Sequence, residues 1–557
     1  MGKKTSFRRS MAWLHTWTGL VAGWVLYFVF VTGSSAYFIG EISAWMKPER
    51  PLASERPTAL MPVALANAQS ALQREVPTAP RWSIYVPGWR TESQWRLTWP
   101  NPAGGRPVTN KIDPATGQLL GDNPDPPARA TGGGLALLEL HYKLHYLRRD
   151  SGIFIVGIAS MLMLLAILTG VVTHKKIFQD FFTFRPWKGQ RSWLDAHNLA
   201  SVLALPFFLM ITYSGLLFFM QHYMPAGLYA AHDGESQWVR AGSGYFKPGT
   251  PNPVDPRTNA RFDPARTNKD TAGPTQNAAS AGAGTAAALV DLREPLAYVE
   301  NAWGEGAIEK IDVIDPGRDS ARIIFVRRND SGLHAPERLA FDGVTGWPLG
   351  GIETRRSPAW VVQDTFIDLH RARFADSWLR GLFFASGLLG CAMIATGLIL
   401  WTVKRRQRQQ AGRTDFGFRL VEVLNIGTIA GLPVGIAAHL WANRLLPLGI
   451  ANRRDWEMHA IFIAWGSMLL WAALLRPAGK AWRALLGAAA AGFGLLPVLN
   501  ALTSNRHLGV TLPAGEWGLA GVDLVMLALG AFFAAAAVKT RHKRIEPRPP
   551  ARNAREA

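Results

Sequence analysis

The chain has 557 residues, of which 48% are apolar, and a formal net charge of +20. This length exceeds one ordinary domain, and the apolar content allows several buried elements. The basic residues cluster in short segments beside apolar runs, which is typical of membrane proteins and argues against a nucleic-acid partner. The only cysteine, Cys391, excludes an internal disulfide, a CxxCH haem attachment, a Cys-ligated iron–sulfur cluster and a multi-Cys zinc site. Any metal cofactor is therefore held by histidines or carboxylates.

Apolar stretches of about 20 residues predict a polytopic α-helical membrane protein with eight spans. In chain order these are Trp13–Phe38, Gly152–Thr173, Leu199–Met220, Leu379–Val403, Val421–Trp441, His459–Leu475, Ala481–Leu502 and Gly518–Val538. The first is too long for a signal peptide and has no convincing small-x-small cleavage site, so we predict an anchor. We expect no charged residue deep in a span, and hence no sign of an ion path.

Five basic segments fix the predicted orientation. They are Gly2–Arg9, Lys175–Arg191, Lys404–Arg413, Arg476–Arg483 and Lys539–Arg555. Alternation along eight helices places all five on one side, which the positive-inside pattern makes cytoplasmic. Both termini are therefore predicted to be cytoplasmic.

The two longest connections, residues 39–150 and 223–378, are predicted to be extracytoplasmic. Alternating polar and apolar residues in Arg81–Val86, Gln94–Trp99 and Ala321–Val326 indicate strands, so each connection is predicted to be a small α+β domain. Residues 246–288 are rich in Pro, Asn, Thr, Gly and Ala and read as a flexible insert without secondary structure.

An internal repeat relates the two halves of residues 1–403. His15 precedes Gly33 by 18 residues and His197 precedes Gly215 by 18; His141 precedes Gly152 by eleven and His370 precedes Gly381 by eleven. Each second helix ends in Thr-Gly, and a hairpin signal beginning at Asp113 is matched by one beginning at Asp342. The core is therefore predicted to be two copies of helix, small domain, helix.

The predicted organisation follows from these features. It comprises helix 1 (1–38), the first small domain (39–150), helices 2 and 3 with a basic loop (151–222), the second small domain (223–378), helix 4 (379–403), a linker (404–420), a four-helix C-terminal extension (421–538) and a basic tail (539–557). The extension lies outside the repeat.

Several motifs in order make residues 1–410 resemble the PepSY-associated transmembrane helix family. They are His15-Thr-Trp-Thr-Gly-Leu, Leu140-His141 with His145, Thr169-Gly-Val-Val-Thr-His174-Lys-Lys-Ile-Phe with Phe182-Thr-Phe-Arg-Pro, and Asp195-Ala-His197. The resemblance implies two small PepSY-like domains, a four-helix core that carries two b-type haems, and a role as a ferric-siderophore reductase of the bacterial inner membrane. The insert and the extension depart from the minimal four-helix pattern.

Seven histidines are candidate axial ligands, because neutral imidazole is the usual ligand of a b-type haem. His15, His174 and His197 are predicted at the cytoplasmic helix ends, and His141, His145, His222 and His370 at the opposite ends. The repeat favours pairing His15 with His197 and His141 with His370. Helix phase places His145 and His174 at the two ends of one stripe of helix 2, and His197 and His222 at the two ends of one stripe of helix 3, and so favours His145 and His174 as members. Arg148, Arg149, Arg371 and Arg373 flank the outer histidines and could attract an anionic chelate, or could be solvated interfacial charges.

Helix length limits this picture. A continuous helix from His141 to His174 would be about 50 Å long, against a hydrocarbon core of about 30 Å. The outer histidines would then stand above the membrane, unless the approach to helix 2 bends near Arg149–Gly152 or another carrier bridges the gap. His439 and His459 in the extension could form a quinol pocket or another haem site, although histidines at helix ends are usually interfacial.

The function expected is a haem oxidoreductase that passes electrons across the membrane to a periplasmic ferric siderophore and releases Fe(II). Its donor would be a cytoplasmic reductase or a membrane quinol, since no nucleotide-binding motif is present. The alternatives are a non-enzymatic PepSY scaffold or regulator in contact with membrane lipid, and an accessory subunit of an iron transporter.

Overall fold

The computed structural model describes the helices and strands of both halves and of the extension. The described residues are 7–49, 59–88, 94–105, 107–121, 129–174, 184–186, 188–224, 285–328, 337–351, 358–406 and 415–540. Most of the predicted insert, the tail beyond residue 540 and parts of the first three basic segments lie outside them.

The first half of the core consists of a long entry helix, a sheet unit and a return helix. Its helices are α1 (Phe7–Ser35), which a 3₁₀ turn (Ala36–Phe38) joins to α2 (Ile39–Trp45), α3 (Met61–Glu75), α4 (Gly133–Lys143) and α5 (Arg149–Thr173). Its strands are β1 (Arg81–Tyr85), β2 (Arg96–Trp99), β3 (Val108–Ile112) and β4 (Leu119–Gly121).

The second half has the same order of elements. Its helices are α6 (Gln190–Leu203), α7 (Leu205–Phe218), α8 (Met220–Tyr223), α9 (Arg293–Trp303), α10 (Pro358–Arg371) and α11 (Ser377–Arg406). Its strands are β5 (Ile308–Ile314), β6 (Arg322–Arg327), β7 (Arg338–Asp342) and β8 (Pro348–Gly351). The extension adds α12 (Phe416–Ile429), α13 (Gly431–Leu445), α14 (Arg453–Leu474), α15 (Ala478–Gly494), α16 (Leu496–Thr503), α17 (Leu508–Thr511) and α18 (Trp517–Lys539).

Among the described residues, seven helical runs are long and apolar enough to cross a membrane, and α6 with α7 makes an eighth if the bent pair is one span. The predicted third span is thus not straight, because α6 and α7 meet at an angle of 67° around Ala204. Pro206 in the first turn of α7 explains the break, since proline has no backbone N–H to donate to the preceding turn and its ring collides with that turn. The chain is a multi-pass membrane protein.

All eight strands form one antiparallel sheet rather than two separate sheets. The strand order is β4-β3-β2-β1-β5-β6-β7-β8, so the halves join where β1 pairs with β5. Residues of α3 and α9 share one apolar core with the sheet, and Gln69 of α3 hydrogen-bonds to the backbone of Val290 and Leu292 before α9. The hairpins predicted after Asp113 and Asp342 are present as β3–β4 and β7–β8.

The extension packs against α1 through three aromatic side chains of that helix. The Trp24 indole donates to Asn425 (2.9 Å) and the Tyr27 hydroxyl to the Ile429 carbonyl (3.2 Å). Phe28 stacks on Trp465 with ring centroids 5.6 Å apart. Two carboxylates of the extension are fully buried. Glu457 lies two residues before the predicted sixth span and Asp523 five residues after the start of the predicted eighth span.

Candidate histidine-paired redox site

Two of the seven candidate histidines meet between the long helices of the two halves, and we call them the first pair. His15 of α1 and His197 of α6 have ring centroids 6.2 Å apart. His15 Nδ1 lies 2.8 Å from the Ala166 carbonyl of α5, and His197 Nδ1 lies 2.9 Å from the Met393 carbonyl of α11. Each ring is thereby anchored to the return helix of its own half.

The second pair, His141 and His370, meets near the other end of the core. These side chains come from the short helices α4 and α10, and their ring centroids are 6.1 Å apart. His141 Nδ1 lies 2.8 Å from the Val29 carbonyl of α1, and His370 Nδ1 lies 2.9 Å from Ser214 Oγ of α7. Each ring of this pair is anchored to the entry helix of its own half.

All four rings pack against the same local motif, a glycine preceded by Thr or Ser. We call these four glycines the glycine receptors. Each ring packs against a glycine, and an added Cβ would lie 2.6 Å from His141 at Gly33 and 3.1 Å from the ring at Gly170, Gly215 or Gly397. A Thr or Ser precedes every one of these glycines. Its hydroxyl hydrogen-bonds the carbonyl three residues earlier, at Val29, Ala166, Ile211 and Met393. The repeated Thr-Gly and Ser-Gly dipeptides in the sequence therefore mark where the rings lie.

The geometry of the pairs suits a metal ion between the rings. A carbonyl oxygen only accepts, so Nδ1 carries the proton in His15, His141 and His197, and Nε2 keeps its lone pair. An imidazole nitrogen binds a transition metal at about 2 Å, and two rings on opposite sides of one ion have centroids about 6 Å apart. Both observed separations match this value. Anchoring Nδ1 to a carbonyl is also the usual support of a metal-binding histidine.

Each pair offers two ligands and no more. In the described part of the chain, no group of three or more His, Cys, Asp or Glu side chains is placed to hold a metal ion. A bare ion would need more than two ligands from the protein. A haem iron, which already has the porphyrin nitrogens as ligands, would need only two. The residues present therefore fit haem better than an isolated metal ion.

The pairs lie at different depths of the core. Eighteen residues of α1 separate His15 from Gly33, the receptor of His141, which is a rise of about 27 Å along the helix. Phe30 and Phe208 lie between these levels, with ring centroids 6.2 Å apart. Gly390 of α11 allows this approach, because a Cβ there would lie 2.3 Å from Phe30.

The sequence analysis placed the second pair above the membrane if one continuous helix ran from His141 to His174. In the structure this helix is broken. α4 ends at Lys143, Leu144 has φ of +53°, and α5 begins at Arg149. The end of α4 folds onto α5 so closely that a Cβ at Gly152 would lie 1.6 Å from the Lys143 carbonyl. His141 consequently reaches Val29 within the first span. The predicted bend is present, a few residues before the predicted position.

The remaining three candidates lie outside the two pairs, and they include His145 and His174, which helix phase favoured as members. His145 follows the break, with its ring 5.9 Å from His459 and stacked on Phe462. His174 ends α5, where Nε2 lies 3.0 Å from Asn198 Nδ2. His222 lies in α8, edge-on to Phe219. Phase arguments failed because the chain breaks at Leu144 and bends at Ala204.

The region around His145 includes a residue to which the sequence analysis gave no definite role. His459 Nδ1 lies 2.7 Å from the Tyr146 hydroxyl, which joins the extension to the core. Burial, and secondly the neighbouring His459, lower the pKa of His145 below its usual value of about 6.5. His145 is therefore neutral at pH 7.

The four candidate substrate arginines are spread around the second pair. Arg148 and Arg149 are exposed at the start of α5. Arg371 lies over the Phe218 ring at 5.9 Å, and Arg373 lies 3.9 Å from Asp368.

The fold and this site define a class: a polytopic helical membrane protein with two histidine pairs at different depths of a repeated core. The chain belongs to the family of the PepSY-associated TM region, whose model matches residues 12–404. An uncharacterized protein of Pseudomonas aeruginosa is 27% identical over 407 residues, which are 71% of this chain and 92% of that protein. The family match ends before the extension begins.

Proposed function

We propose that the protein is a haem-containing oxidoreductase of the bacterial inner membrane that passes electrons across the membrane to a periplasmic ferric siderophore. The observation that carries this proposal is the equal separation of two histidine pairs, 6.2 Å and 6.1 Å between ring centroids. Four rings on one shared receptor motif are not expected of histidines that merely cap helices or line an interface.

The chain's own residues have defined tasks in this proposal. The carbonyl bonded to Nδ1 of His15, His141 and His197, or the Ser214 hydroxyl at His370, orients each ring and leaves Nε2 to bind a metal. When bound, haem supplies a one-electron Fe(III)/Fe(II) couple at each pair. The glycine receptors let the rings pack directly against a neighbouring helix, and the apolar helices around them keep water out.

The direction of transfer follows from the charge pattern. With the basic segments on the cytoplasmic side, as we propose, the first pair lies near the cytoplasm and the second pair near the periplasm, on the side of the sheet. A donor on the cytoplasmic side, or a membrane quinol, would deliver electrons, and the ferric chelate would accept them at the second pair. Hard siderophore oxygens bind Fe(III) strongly and Fe(II) less well, so reduction releases the metal.

The competing function is a PepSY scaffold or an accessory subunit of an iron transporter, with the histidines in structural roles. Purified full-length protein in detergent separates the two. We expect a Soret band that shifts with dithionite and is reoxidised by a ferric siderophore. His197→Ala or His370→Ala should each remove about half of the haem, since each pair would hold one. His507→Ala, in a loop before α17, is the matched control and should retain both.

The possible outcomes distinguish the parts of the proposal. A colourless preparation from haem-replete cells would contradict electron transfer and favour the scaffold. Haem that stays reduced in the presence of ferric chelates would contradict only the substrate.

A further inference from the structure

A buried polar cluster in the extension is not explained by the two histidine pairs. Its centre is Asn443 of α13 with Arg453 and Glu457 of α14, whose exposed fractions are 0%, 1% and 0%. Arg453 is ion-paired with Glu457 and donates to the Asn443 carbonyl at 2.6 Å. Asn443 Nδ2 donates to Glu457 Oε1 at 2.9 Å. A charged cluster without solvent is costly unless its members pair with one another. In these three side chains every polar atom except Arg453 Nε has a hydrogen-bond partner.

The same cluster holds the chain of the core just before α4. Thr131 donates its hydroxyl to Glu457 Oε2 at 2.5 Å, and Arg453 donates to the Ala130 carbonyl at 3.3 Å. Arg129 donates to the Asn443 carbonyl at 2.5 Å and pairs with Glu49 at 2.6 Å. Three consecutive residues, 129–131, are therefore fixed by the extension.

The cluster also holds the end of α2. Asn443 Nδ2 donates to the Met46 carbonyl at 3.1 Å, and Arg444 donates to the Trp45 carbonyl at 2.7 Å. Both chain segments that border the first-half sheet unit, at residues 45–46 and 129–131, are thereby tied to α13 and α14. We call these contacts the extension clamp.

Helix α4 connects the extension clamp to His141. Thr131 Oγ1 also accepts from the Gly133 backbone N–H at 3.1 Å, in the first turn of α4, and Gly134 N–H donates to Ser43 Oγ at 2.9 Å. Eight residues separate Gly133 from His141, about 12 Å along a helix. A helix of this length moves as a rigid body, so a change at its first turn is transmitted to the imidazole.

We propose that the C-terminal extension acts as a positioning element for His141: the extension clamp fixes the start of α4 and thereby the ring that faces His370. Glu457, Arg453 and Thr131 are positioning residues, since none of them touches either pair. This inference rests on the proposed function for its effect on haem, but its structural part does not require haem. It assigns a task to helices that the family match does not include.

Thr131→Val tests the clamp with least disturbance, because valine keeps the shape of threonine and loses only the hydroxyl. Thr511→Val is the matched control: Thr511 is a buried threonine of the extension, and its hydroxyl donates to the backbone carbonyl of His507, the residue before α17. Glu457→Gln, which removes the charge of the clamp, is the second variant. All are made in the full-length chain.

The first measurement is hydrogen–deuterium exchange of residues 133–143 in haem-free protein. Loss of one buried hydrogen bond should make exchange there about tenfold faster in Thr131→Val, and still faster in Glu457→Gln. Thr511→Val should leave this segment unchanged. Unchanged exchange in both Thr131→Val and Glu457→Gln would overturn the clamp, and this outcome can be read whether or not the protein binds haem.

The second measurement is haem affinity in two backgrounds that leave one pair each. In His197→Ala protein only the second pair remains, and Thr131→Val should weaken its affinity about tenfold, as loss of an outer support of a metal-binding histidine does. In His370→Ala protein only the first pair remains, and its affinity should not change. Faster exchange with unchanged affinity at the second pair would overturn the positioning role. Absence of haem from wild-type protein would overturn the proposed function instead.

Discussion

The two histidine pairs share one receptor and differ in what carries the rings. In the first pair, His15 and His197 belong to α1 and α6, helices of the core itself. In the second pair, His141 and His370 belong to the short helices α4 and α10, and the residues directly after these helices, Leu144 and Ala372, both have positive φ. The ring positions of the second pair therefore depend on connections outside the spans. The same local motif therefore contacts rings carried by the long core helices and rings carried by short connecting helices.

The two halves also differ where the short helix turns into the return span. Gly152 of α5 and Gly381 of α11 are equivalent in the repeat, each eleven residues after its histidine. A Cβ at Gly152 would lie 1.6 Å from the Lys143 carbonyl, whereas a Cβ at Gly381 meets nothing within 4 Å. The first turn is tight because backbone contacts backbone.

The largest expected effect comes from Gly152→Ala. Because the obstacle is backbone, α4 must separate from α5, and we expect loss of the second pair's haem together with at least about 3 kcal/mol of stability. Gly381→Ala, the repeat-related control, should retain the haem and the wild-type melting temperature. Equal effects of the two substitutions would break the comparison between the halves.

A smaller effect is expected at the glycine receptors of the second pair. At Gly33 an added Cβ would lie 2.6 Å from the His141 ring, and at Gly215 it would lie 3.1 Å from the His370 ring. Gly33→Ala should therefore weaken haem binding about 10–100-fold, and Gly215→Ala less. Spectroscopic haem titration measures both. Gly19→Ala, on α1 with nothing within 4 Å, is the control; weakening there as large as at Gly33 would contradict the receptor assignment.

The smallest effect is expected at the junction of the two halves, where β1 pairs with β5. Asp312 of β5 is buried opposite Ser83 of β1 and pairs with Arg81 (2.9 Å) and Lys310 (2.7 Å). Burial alone would raise the pKa of Asp312, but Lys310 and Arg81, with the hydrogen bonds from Lys310 and Ser83, lower it overall. The stabilising contribution is therefore present above the unfolded pKa of about 3.9 and is lost as pH falls through the lower folded value.

This predicted pH dependence can be measured by thermal unfolding of the sheet, monitored through the β-strand band of the infrared spectrum. Wild-type protein should lose stability between about pH 4 and pH 2, beyond any loss in Asp312→Asn. At pH 6 the variant should be less stable by about 1–3 kcal/mol, because a charged hydrogen-bonded group is gone. A variant as stable as wild type at pH 6 would show that the junction pair contributes nothing.

Much of the site was visible in the sequence, because the repeat marks equivalent positions. The repeat favoured the pairs that the structure shows, His15 with His197 and His141 with His370. Helix phase favoured His145 and His174 as members, and neither belongs to a pair, because the phase argument assumed an unbroken helix through Leu144. A left-handed residue that is not glycine leaves no mark in composition or hydropathy.

The buried charges of the extension were not foreseen either. Arg453 and Glu457 lie near the start of a predicted span, and a sequence cannot distinguish an interfacial charge from one that is fully enclosed. Enclosure depends on Asn443 and Thr131, which are 14 and 326 residues away from Glu457 along the chain. Only packing brings these partners together.

The sequence by itself determined the apolar helices apart from the bend in the third, three of the strands, the two strand hairpins and the histidines available as ligands, because each of these depends on local composition or spacing. Only the tertiary structure decided that the strands form one sheet, that four of the seven histidines meet in pairs, and that the extension holds the start of α4. The physical reason is that side-chain pairing and burial depend on where distant segments meet, and this is set by helix breaks and close packing at single residues.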